Sequence, residues 1–156
     1  MTNTTEIQPE EIEPTYLAFS WSVSRGRETY GYNIMTVTDQ NTGKRFRCNG
    51  GGYDMTGTSV GNWMEATYPK RLQAVAERAD IRYFTPAREP WYEHSMAADR
   101  LYGMTVTGGG GVRLDGACGL ESMLKVAHAI GLKLERTYKA TGRNRGETTG
   151  YIVTAA

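Results

Sequence analysis

Two stretches of this chain place arginine, an Asx residue and glycine in the same order ahead of an apolar helical pattern. The first reads Arg47-Cys48-Asn49-Gly50-Gly51-Gly52, and the second Arg113-Leu114-Asp115-Gly116-Ala117-Cys118-Gly119. Each arginine precedes its Asx by two residues, in a strand that feeds a loop, so its guanidinium can reach a phosphate with two parallel hydrogen bonds. Loops without side chains let a ligand approach the backbone, and unpaired N–H groups at a helix start favour an anion. The spacing fits neither the P-loop nor the dinucleotide fingerprint with an acidic residue about 20 positions on. The expected ligand is therefore phosphate-bearing, a nucleotide or nucleic acid, with no particular nucleotide specified. Its candidate residues are Arg47, Asn49, Gly50, Gly51, Gly52, Arg113, Asp115, Gly116, Cys118 and Gly119. A structural explanation competes, in which Asn49 and Asp115 supply turn and cap bonds and the glycines take positive φ. Both readings stay open at this point.

Lys44 and Arg45 add charge beside the first hairpin turn, and Tyr30, Tyr32, Tyr53 and Tyr102 offer rings for base stacking or for ordinary strand packing. A cysteine enzyme is a weaker alternative. Cys118 lies at a predicted helix start, where the helix dipole lowers a thiol pKa. His128 is too far along the same helix to serve as its base, and His94 lies in an irregular segment, so spacing supplies no nucleophile–base pair. Two histidines and two separated cysteines do not suggest a metal site, and no cofactor is expected. A protein-binding alternative rests on Trp91 and Tyr92, aromatic types that anchor interfaces, or on the acidic N-terminus.

The elements that position these residues follow from periodicity. Leu17, Phe19, Trp21 and Val23 alternate strictly within residues 15–24, which predicts a strand with one buried face. Residues 30–38 and 45–48 predict a hairpin whose loop carries Asp39, Asn41 and Gly43. Val60, Trp63, Met64, Tyr68, Leu72 and Val75 recur at three and four, a helical stripe that Pro69 should kink or split. Residues 80–100 predict a connecting loop with one short strand at 81–84. A second hairpin begins at Tyr102, and a helix from Leu120 to Ile130 carries Leu120, Met123, Leu124 and Ala127 on one side and stops at Gly131. Strands at 132–139 and 148–154 close the chain.

Recurrence is the most informative feature. Met35-Thr36-Val37-Thr38 is repeated in full as Met104-Thr105-Val106-Thr107, and residues 46–50 parallel residues 112–116. The order hairpin, Asx-Gly loop, helix occurs twice, in units of about 30–79 and 102–131. Duplication of a ββα unit and convergent local structure both account for it. Most of the 19 glycines fall at corresponding places in the two units, between Gly43 and Gly61 and between Gly103 and Gly119.

The whole chain has 156 residues, 39% hydrophobic and 22% charged, enough apolar material for one core. A net charge of +1 excludes a protein that binds polyanions over its whole surface, although residues 131–147 are locally basic. Residues 1–14 are acidic and predict a flexible tail, with residues 15–156 as one domain. No apolar run is long enough to span a membrane and no export pattern precedes the first strand, so a cytoplasmic location is expected. The fold expected is α+β: a mainly antiparallel sheet of six to seven strands with two helices on one face. Exposed sheet edges leave room for a homodimer.

The strings YGYN, TGKRFRCNGGGYDM and RLDGACGLESM resemble segments of small uncharacterised proteins of tailed bacteriophages, over about residues 28–70 and 101–132. That resemblance implies no catalytic residues. It implies an accessory protein in an infected bacterium, acting in counter-defence or host takeover. The function expected is non-enzymatic binding of a phosphate-bearing ligand, the alternative being inhibition of a host or defence protein.

Overall fold

The computed structural model describes residues 8–24, 32–49, 56–78, 104–106, 111–114 and 119–156. In chain order these form β1 (Thr15–Ser24), β2 (Tyr32–Asp39), β3 (Arg45–Asn49), α1 (Thr56–Thr67), α2 (Pro69–Arg78), β4 (Met104–Val106), β5 (Val112–Leu114), α3 (Leu120–Ala129), β6 (Leu132–Tyr138) and β7 (Thr148–Ala155). The fold is α+β, as expected. Its main sheet has five antiparallel strands in the order β3-β2-β1-β7-β6, so the first and last strands pair near its centre.

The strands alternate as the sequence requires. Leu17, Met35 and Val37 are fully buried on one face, joined by Tyr151 and Val153. Helix α1 covers that face over β2 and β3, α3 covers it over β6, and the two helices touch. Burial fades along β1, from Leu17 through half-buried Phe19 to Trp21, which is 43% exposed. All six residues of the predicted stripe, Val60 to Val75, are buried, and Trp63 at its middle is wholly enclosed.

Two expectations are refined. The single sheet of six to seven strands becomes a five-stranded sheet plus a separate two-stranded hairpin, β4–β5. Each strand of that hairpin is three residues long; β5 packs on α1 and α2 and β4 lies against α2, and neither joins the large sheet. Glu65 of α1 fixes it there by accepting a hydrogen bond from the Leu114 N–H at 2.6 Å. Among the described residues the two expected helices become three, because Pro69 splits the first pattern at Tyr68. A proline lacks the N–H for an interior helix bond but suits the first turn of a new one. The expected strand at 81–84 lies outside the described residues.

The two hairpins nevertheless share one register. Met35, Thr36 and Val37 face Cys48, Arg47 and Phe46; Met104, Thr105 and Val106 face Leu114, Arg113 and Val112. The recurrence in sequence is thus a recurrence of cross-strand pairs, with Thr opposite Arg in both. The tertiary environments differ: β2–β3 is part of the main sheet, whereas β4–β5 lies on its helix side.

Three local devices hold the layers together. Asp39, at the end of β2, is buried and accepts hydrogen bonds from Thr15 Oγ1 (2.7 Å), the Asn41 N–H (2.9 Å) and Trp63 Nε1 (2.9 Å). Burial alone would raise its pKa; the bonds from Trp63, Thr15 and the Asn41 and Thr42 backbone outweigh it and hold the carboxyl below its ordinary value. Within the segment read as an acidic tail, Glu10 caps α2, accepting from the N–H groups of Lys70 (2.7 Å) and Arg71 (3.1 Å). Arg71 in turn donates to the backbone oxygens of Glu10 and Ile130, tying this segment to the end of α3. At Gly150 the Tyr16 ring crosses the strand to meet Thr137 Oγ1 at 2.8 Å, and a Cβ there would collide with that ring and with the Leu17 carbonyl. Tyr16 covers the gap that a glycine leaves in a sheet.

Candidate anion-binding face

An antiparallel sheet needs only one covered face, and among the described residues helices cover only one. The alternation that buries Met35, Val37 and half-buries Phe46 sends their neighbours to the opposite side. Thr36 and Thr38 of β2, Arg45 and Arg47 of β3, and Ser20 of β1 line a shallow groove there. The register explains why they meet: Arg47 faces Thr36, Arg45 faces Thr38, and Ser20 faces Thr36 from the other side.

The groove has positive charge and hydroxyl groups, and no carboxylate among the described residues that line it. Both arginines are exposed, and among the described residues neither has a hydrogen-bond or ion-pair partner. The nearest acidic residue in sequence, Asp39, belongs to the helix-side face and is already committed to Thr15 and Trp63. Two guanidinium groups two residues apart on one strand face, with three hydroxyls beside them, provide donors for a phosphate and the charge to attract it.

Arg47 is therefore well placed among the residues singled out from sequence. Arg113 is exposed on β5, on the helix side of the main sheet, so the matched arginines do not converge on one site. The backbone of Asn49 ends β3 opposite Ile34 and leads toward the first glycine loop. Gly119 is the N-cap of α3, with extended φ of −69° and no side-chain cap bond. A Cβ on Gly119 would meet nothing within 4 Å, so neither conformation nor space requires glycine there. Gly50, Gly51, Gly52, Asp115, Gly116 and Cys118 lie outside the described residues, as do Trp91, Tyr92 and His94.

Of the partners of Arg47 in the groove, Arg45 was noted from the sequence as added charge, whereas Ser20, Thr36 and Thr38 were not singled out. Their signal is a period of two: Thr36 and Thr38 alternate with Met35 and Val37, as Arg45 and Arg47 alternate with Phe46 and Cys48. Cys48 is half-buried on the helix side, and His128 is exposed on α3. Among the described residues no three His, Cys, Asp or Glu side chains come together. No helix among them is long and apolar enough to cross a membrane. Comparison with protein-family models, with curated proteins and with solved structures finds no match.

Proposed function

We propose that this protein is a non-enzymatic binding protein for a phosphate-bearing ligand, a nucleotide or nucleic acid, seated on the helix-free face of the main sheet. The observation that supports this reading is the pair Arg45 and Arg47, exposed on one strand face beside Thr36, Thr38 and Ser20, with no carboxylate among the described residues that line the groove. In sequence the first glycine loop, Gly50-Gly51-Gly52, follows β3 directly. The resemblance to bacteriophage accessory proteins makes counter-defence in an infected bacterium the setting of this proposal. Thermal denaturation against a panel of nucleotides and short single-stranded oligonucleotides tests it. At least one phosphate-bearing compound should raise the melting temperature of the wild type and leave Arg45→Ala/Arg47→Ala unmoved. A panel that shifts neither protein, or both alike, overturns the proposal.

A protein partner is the second reading, favoured by Trp21 at 43% and Tyr138 at 60% exposure. Exposed aromatic residues of this kind serve as interface anchors. Capture of a bacterial protein by the wild type and its loss on Trp21→Ala/Tyr138→Ala would support that reading; equal capture by both would remove its basis.

A further inference from the structure

We propose that β6 pairs with β6 of a second copy of this chain, joining two five-stranded sheets into one of ten strands. β6 is an edge strand, and among the described residues it has no partner beyond β7. Its hydrogen-bonding phase is fixed at both ends. The Ala156 N–H donates to the Gly131 carbonyl, and the Lys139 N–H donates to the Glu147 carbonyl, so the odd-numbered residues direct their backbone groups at β7. Alternation therefore turns the N–H and C=O groups of Leu132, Leu134 and Arg136 toward the free edge.

Those outward groups select the pairing. An antiparallel, two-fold arrangement centred on Leu134 sets Leu134 opposite its own copy as a hydrogen-bonded pair, with Leu132 opposite Arg136. The intervening positions become non-hydrogen-bonded pairs, the closer type, with Cα atoms about 4.5 Å apart. In that register Lys133 of each copy faces Glu135 of the other. Both side chains are exposed on the face opposite α1 and α3, and among the described residues neither side chain has a hydrogen-bond or ion-pair partner. The arrangement thus forms two reciprocal opposite-charge pairs, as a two-fold interface requires. Centring on residue 133 or 135 instead places like charges against each other, and so does a parallel pairing in register. Partly buried Leu134, packed on the core cluster, supplies the apolar centre of the seam. α3 packs over β6, so the α3 helices of both copies come to the same junction.

The edge at β3 lacks this complementarity, because Arg45 and Arg47 carry one sign and any self-pairing there sets arginine near arginine. The partner is accordingly a second copy, joined through β6.

Sedimentation equilibrium over a wide range of protein concentration tests the inference with three chains. The wild type should show a concentration-dependent dimer. Lys133→Glu, which sets Glu against Glu twice, should weaken association about tenfold or more. Lys133→Glu combined with Glu135→Lys exchanges the charges and restores both reciprocal pairs, so its association should return to the wild-type value. Circular dichroism confirms that all three are folded. A wild type that remains monomeric at every concentration overturns the inference. So does a dimer that Lys133→Glu leaves unchanged, or one that the exchanged variant fails to recover.

Discussion

The two edges of the main sheet differ in the order of their charges rather than in their backbone. β3 presents Arg45 and Arg47 on its exposed face, two groups of one sign separated by one strand repeat. β6 presents Lys133 and Glu135 at the same spacing on the same face. Both strands end a sheet and both leave backbone groups unpaired among the described residues. A single-signed edge repels its own copy and draws an anion; an alternating edge complements its own copy in one register. Charge order along an edge, more than the bare fact of an edge, sets what it binds.

The comparison predicts that the edges respond separately to local changes and together to a change at the sheet's centre. Gly150→Ala is the largest perturbation, since its Cβ would strike the Leu17 carbonyl and the Tyr16 ring where β1 meets β7. A loss of about 3 kcal/mol in urea unfolding is expected, with anion binding and self-association falling together.

Asp39→Asn comes next and acts beside the β3 edge. The amide retains one acceptor oxygen where the carboxylate offers two to Thr15, Asn41 and Trp63, so about 2 kcal/mol should be lost at neutral pH. Because the folded carboxyl titrates below its unfolded value, its stabilisation is present above the unfolded pKa and is lost as pH falls through the folded one. Urea titrations from neutral to acid pH should therefore show the difference between wild type and Asp39→Asn shrinking as pH drops. A difference that stays constant into strong acid would show that the carboxylate's charge is not what the network holds.

Tyr16→Phe is the smallest of the three and bears on the β6 side. It removes the hydroxyl that reaches Thr137 but keeps the ring over Gly150, so the expected loss is about 1 kcal/mol. Hydrogen exchange should report it as faster opening of β6 and β7, with β2 and β3 unaffected. Uniform loosening across all five strands would show that the sheet responds as one unit.

How far the chain could be read in advance depends on the range of the interaction. The period of two in β1 and the three-and-four stripe from Val60 to Val75 are local; the stripe emerges wholly buried, whereas in β1 Leu17 is buried, Phe19 half-buried and Trp21 exposed. The repeated Met-Thr-Val-Thr string foretold the shared hairpin register, because cross-strand pairs follow from a short turn and the alternation beside it. The destination of the second hairpin was not legible. Three-residue strands carry too little pattern to specify a neighbour, and the α1 contacts that capture them lie about 50 residues away in sequence, as the Glu65–Leu114 bond illustrates. For the same reason Arg47 and Arg113 looked like one site and lie in different layers. Asp39 reads as a residue of a polar turn, yet both side chains that bind it are 24 residues distant. Glu10 similarly reads as tail charge until the start of α2 is brought against it.

On the proposed reading, the arginines of β3, and not their counterpart in β5, hold the phosphate-bearing ligand. A binding titration measures this most directly, using a labelled single-stranded oligonucleotide or the nucleotide that stabilises the wild type, with Arg45→Ala/Arg47→Ala and Arg113→Ala as variants. The paired variant should lose at least tenfold in affinity and, for the oligonucleotide, about two units of salt slope, while Arg113→Ala stays within twofold of wild type. Equal losses in both variants, or none in the paired one, would remove the β3 arginines as the binding site.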